Sequence, residues 1–200
     1  MKTKNKHWVD EYLVPLGACN RALEKANKYP DPQTAWDSWE RADDMLWALV
    51  SVKADPKKLI SCMCESVERV LFLFKMEHPD NNLLIEAIAS ARSVVETPTK
   101  ETDAAVYAAR KAIKSFLRRE PCTDEPSYIV AVSVLHIVRV ASHMVSLCGL
   151  YIGEYIEDAN STAWLAAEGI NTLGVDIRQV ECIRKHFPNP PIEKKNELDN

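Results

Sequence analysis

TAWDSWERADDMLWALV, residues 34–50, decides how the chain folds. Placed on a helix of 3.6 residues per turn, Trp36, Trp39, Asp43, Leu46, Trp47 and Val50 share an arc of roughly 100°. Three indoles and a carboxylate thus fall on one face. A carboxylate buried among indoles without a partner is costly. The stretch therefore predicts a helix whose face belongs to the core, and a polar contact for Asp43 inside it.

Working outward, proline punctuates the chain and the segments between prolines read as helices. Leu16 to Tyr29 reads as a first helix, and Thr34 as the cap of the tryptophan helix. Asp55-Pro56 is an N-cap followed by proline at the first helical position, opening a helix to Glu77. Leu83 to Val95 and the alanine-rich Thr102 to Arg119 read as two more. EPCTDEP, 120–126, is a linker. Ser127 to Ile152 is one long apolar segment, Glu154 to Thr172 a weaker helix, and Val175 to Phe187 the last. The expectation is an all-α protein of about seven to eight helices, packed as hairpins around one core. A flexible residue 1–9 extension precedes a single domain over 10–190, with 10–120 and 126–190 as candidate halves and 191–200 as a flexible tail.

The segment from Tyr128 to Ile152 is rich in Val and Ile, which also suit strands, but it is too long for one. It also reads as a membrane span. His136, Arg139 and His143 near its middle oppose that reading, since charge at bilayer depth is costly. No membrane association is expected.

Composition narrows the classes of function. The 200 residues carry a net charge of −4, which disfavours nucleic acid as main partner. Five glycines, with no Gly-rich phosphate loop, leave no nucleotide-binding signature. Six cysteines lack metal-type clustering, and the opening residues lack an apolar signal core. The reading is a cytoplasmic protein with reduced thiols, no metal and no cofactor. Cys62 and Cys64 point about 200° apart on a helix, which disfavours a shared metal or redox role.

Three polar constellations stand out. His136, Arg139, His143 and Ser146 form a stripe at i, i+3, i+7 and i+10 on an apolar helix. It reads either as a pocket with histidine as general base, or as an interior network in which Arg139 pairs with Asp43. The histidines lie about 10.5 Å apart along the axis, too far for a metal pair. Interior pairing is the preferred reading, and no catalytic residue is assigned. Lys111, Lys114, Arg118 and Arg119 form a basic cluster that also complements the negative end of a helix dipole. Glu154, Glu157 and Asp158 form an acidic cluster. Phe72 and Met76 point away from the apolar face Leu59, Met63, Val67, Val70 and Phe74, which places their helix between two layers or leaves an exposed patch. The two-layer arrangement is preferred.

WDSWERADDMLWAL resembles a W-(D/E)-x-C-x-R-A-D-W-x-L-W stretch of immunity proteins from bacterial polymorphic-toxin systems, an all-helical family with phage-encoded relatives. The likeness falls on Trp36, Asp37, Arg41, Ala42, Asp43, Leu46 and Trp47, and departs at Trp39 and Asp44. QVECIRKHFPNPP resembles the closing Q-x-x-I-(I/V)-R segment of that family, on Gln179, Ile183 and Arg184. The alanine-rich middle of the family is faint here, in Ala104 to Ala112. The resemblance implies a protein that neutralises a toxin by occlusion, without chemistry. A phage-encoded inhibitor of a host defence component is the close alternative, and an enzyme built on His136, Arg139 and His143 the opposing one. The motif residues are Trp36, Trp39, Arg41, Asp43 and Trp47. The candidate partner-binding residues are Glu154, Glu157 and Asp158, with Lys111, Lys114 and Arg118 as the second choice. Oligomeric state is left open.

Overall fold

A computed structural model describes residues 7–52, 54–119, 126–146 and 176–192, with the side chains of residues 43, 143–146 and 176–178 outside that description. Among the described residues the chain is helical and has no strand. A π-helical turn, Val9–Leu13, is followed by α1 (Asn20–Ala26), α2 (Pro32–Ser38), α3 (Ala42–Ser51), α4 (Pro56–Glu68) and α5 (Leu71–Glu77). Then come α6 (Leu83–Glu96), α7 (Lys100–Arg119), α8 (Pro126–Ser146) and α9 (Asp176–His186).

Local chemistry explains most boundaries. Asp55 accepts hydrogen bonds from the Lys57 and Lys58 backbone N–H groups, with Pro56 at the first helical position, as expected. At α2 the cap is Asp31 rather than Thr34. The Asp31 carboxylate accepts from the Thr34 N–H at 2.8 Å and from the Thr34 hydroxyl at 2.7 Å, so the helix starts one turn earlier, at Pro32. The first helix is shorter than expected, because the chain reverses at Gly17. There φ is +76° and nothing lies near an added Cβ, so the need for glycine is conformational. Val9 belongs to the core, and the Trp8 indole donates to the Tyr29 carbonyl at 3.1 Å.

Two expected helices are broken in two. The tryptophan helix divides at Trp39–Arg41, where Trp39 and Arg41 are extended (ψ 130° and 113°). The helix expected from Pro56 to Glu77 divides at Arg69–Val70. The apolar face Leu59, Met63, Val67, Val70 and Phe74 is nonetheless fully buried across that break. The two-layer expectation for Phe72 and Met76 is overturned: they are 57% and 75% exposed, so only one face of α5 meets the core.

α8 lies centrally, packed against α4, α5, α6 and α7. Its inward residues Val130, Ala131, Val134, Ile137, Val138 and Ala141 are almost fully buried. α9 packs separately onto α3 and α4. One apolar core runs through residues of all these elements. Among the described residues no helix is long and apolar enough to cross a membrane.

Candidate functional site

The break after α2 organises the site. A helix end leaves carbonyls without intrahelical partners. Here Arg184 of α9 takes them. Its Nε and Nη2 donate to the Trp36 carbonyl at 3.1 and 2.9 Å, and Nη2 donates to the Trp39 carbonyl at 2.6 Å. The Trp36 indole returns a bond, donating to the Phe187 carbonyl at 2.9 Å, and the Gln33 amide donates to the Pro188 carbonyl at 3.3 Å. The segment after α9 is thereby strapped across α2.

The expected shared face does not survive the break. Trp36 and Trp39 are buried, but the core face of α3 is Met45, Leu46, Leu49 and Val50. Trp47 lies about 150° from the midpoint of Met45 and Leu46 on a regular helix, and is only half-buried. A second carboxylate, Asp44, makes a polar contact beside the indoles. The Trp39 indole donates to Asp44 Oδ2 at 3.1 Å and Arg21 donates to Oδ1 at 2.9 Å, with Arg41 Nε at 3.6 Å. The Asp43 side chain lies outside the described residues.

These elements line an open-sided pocket of about 70 Å³. Trp8, Trp36, Trp39 and Trp47 form much of its wall, and Pro190, Pro191 and Ile192 of the strap close one side. Asp44 is the only charged residue in that wall among the described residues. Three of the four indole N–H groups are tied to protein acceptors: Trp8 to Tyr29, Trp36 to Phe187 and Trp39 to Asp44. Tying the polar edge fixes each rotamer, and the apolar ring remains to meet a ligand.

On its other side α9 meets α4 through a knot of charge around Glu65. Lys185 Nζ donates to both carboxylate oxygens at 2.9 Å, Arg69 donates to Oε1 at 3.1 Å, and His186 Nε2 lies 2.9 Å from Oε2. Hydrogen bonds from His186 and Lys185, then Arg69, hold the Glu65 carboxyl at about 2, well below its usual range. Beside it the buried thiols of Cys62 and Cys182 hydrogen-bond each other, which raises the first and lowers the second. Cys182 Sγ also donates to the Cys62 carbonyl at 3.6 Å. Cys64 points elsewhere, and burial pushes its thiol up to about 12. The expected divergence of Cys62 and Cys64 is therefore observed. The partner of Cys62 was not visible in the sequence, because Cys182 lies 120 residues away.

The polar stripe sits on α8, and the expected pairing of Arg139 with Asp43 lies outside the described residues. His136 is half-buried, and burial together with the nearby Arg139 lowers its pKa. The side chains of His143 and Ser146 lie outside the described residues, as do Glu154, Glu157 and Asp158. Lys111, Lys114 and Arg118 are exposed on α7, and Arg41 is half-buried against Asp44. Comparison with protein families, with characterised proteins and with solved structures returned no match.

Proposed function

We propose that this chain is an immunity-type binding protein that neutralises a toxin protein in the cytoplasm by occluding it. The observation that carries the reading is the pocket walled by four indoles and the proline strap. Buried aromatic rings with fixed rotamers are the side chains that most often dominate protein–protein affinity. An apolar or aromatic residue of the partner, entering between Trp36, Trp39 and Trp47, would displace water from rings already held in place.

The two sequence islands that resemble the immunity family add support. They lie 148 residues apart, yet Arg184 of one clasps the Trp36 carbonyl of the other. Residues that share a motif pattern thus share one site. The net charge of −4 suits a partner with a basic surface, such as a toxin acting on nucleic acid.

The experiment is co-expression with the products of the genes that neighbour this one, each screened for toxicity, followed by isolation of the complex. The proposal expects a one-to-one complex and restored growth. It also expects Trp47→Ser, at a half-buried position, to fold and yet lose both. A folded Trp47→Ser protein that still protects would remove the pocket from the account.

A further inference from the structure

We propose that Glu65, Cys182 and His186 form a binding site for a zinc-like divalent transition metal between α4 and α9. Their ligand atoms, the carboxylate oxygen, Sγ and a ring nitrogen, all lie within 4.8 Å of one another. Cys182 and His186 are four residues apart on α9, so helical geometry stacks them on one face. α4, packed against α9, supplies Glu65 opposite them.

The geometry is close to what a metal needs. Zinc binds sulfur at about 2.3 Å and nitrogen or oxygen at about 2.0–2.2 Å, which puts tetrahedral ligand atoms about 3.3–3.7 Å apart. His186 Nε2 and Glu65 Oε2, at 2.9 Å, need to open by less than an ångström. Side-chain rotations within the pair of helices suffice. The donor set is also selective. A thiolate with an imidazole favours zinc, cobalt or iron over magnesium and calcium, which prefer oxygen alone.

The neighbours fit this role. Cys182 Sγ lies 3.6 Å from the Cys62 carbonyl of α4, a contact that orients the sulfur toward that helix. Arg69 holds Glu65 Oε1 and so leaves Oε2 facing His186. Lys185 occupies the carboxylate in the metal-free protein, but its side chain is 66% exposed and free to swing to solvent. The metal then supplies the positive charge that Lys185 withdraws. Binding releases the Cys182 proton, and the fourth position is open to water.

The test uses the full chain, reduced and stripped with chelator, titrated with Co²⁺ and then with Zn²⁺ in competition. The expected result is one Co²⁺ per chain, a thiolate-to-cobalt charge-transfer band and displacement by one Zn²⁺. Cys182→Ser should abolish that band, and His186→Gln should weaken binding by more than about 100-fold. Cys62→Ser, a neighbour of the ligands, should cost about 10- to 100-fold. Lys185→Ala removes the competing cation and should bind metal more tightly than the parent. Should Cys182→Ser fail to fold, the half-buried His186 and exposed Lys185 variants still decide the matter. Absence of stoichiometric cobalt, an unchanged band in Cys182→Ser, or equal affinity in His186→Gln and Lys185→Ala would each overturn the site.

Discussion

Arg184→Ala is the substitution with the most to reveal. The guanidinium makes three charge-assisted bonds to two carbonyls at the α2–α3 break. Such bonds are worth about 1.5–3 kcal/mol each when isolated. These three share one donor group and two acceptors, and half-burial of Arg184 lets water reach the carbonyls after truncation. The expected loss is therefore about 3–4 kcal/mol rather than the full sum. At about 2–4 °C per kcal/mol for a chain of this size, Tm should fall by about 10 °C. Arg184→Lys keeps the charge but not the planar fork, and should recover no more than about half the loss. The assay is urea unfolding followed by tryptophan fluorescence, which also reports the rings that the strap covers. A change within about 0.5 kcal/mol, the range of a neutral surface substitution, would show that the clasp does not hold the break together.

Trp36→Ala should cost about 3–5 kcal/mol, because a buried ring and its bond to Phe187 are lost together. Trp47→Ala should cost only about 1–2 kcal/mol by the same denaturation assay, since Trp47 is already partly exposed. Glu65 makes stability depend on acid. Its folded pKa is depressed from 4.5 to about 2, so its contribution is present above the unfolded value and is lost as pH falls between them. Glu65→Gln should flatten stability against pH in that window, and an unchanged acid limb would contradict the assignment. Phe72→Ser with Met76→Gln should leave Tm within a degree or two while lowering the apolar surface that a hydrophobic dye reports, because both residues are exposed.

What the sequence discloses is what local chemistry controls. Asp55-Pro56 starts a helix wherever it occurs in such a context, and the face from Leu59 to Phe74 is legible from spacing alone. The break at Trp39–Arg41 is not legible, because no proline or glycine marks it. It is stabilised by Arg184, more than 140 residues away. That break resets the helical phase, which is why Asp44 meets the Trp39 indole and why Trp47 leaves the core face. Phe72 and Met76 were misplaced for a related reason. After the turn at Arg69–Val70 the second face of α5 is left exposed among the described residues. The Glu65 cluster was hidden because its members are split between α4 and α9, and no spacing rule joins them.

The central claim is that the indole pocket is the surface through which this chain binds its protein partner. Titration calorimetry of the purified chain with the partner protein isolated by co-expression tests it most directly. The account predicts one-to-one binding that Trp47→Ser abolishes although the variant stays folded, with a melting temperature lower by only about 2–8 °C. It also predicts that charge reversal at Lys111, Lys114 and Arg118 leaves the affinity nearly unchanged. Binding that survives Trp47→Ser and disappears with the α7 charges would contradict the account.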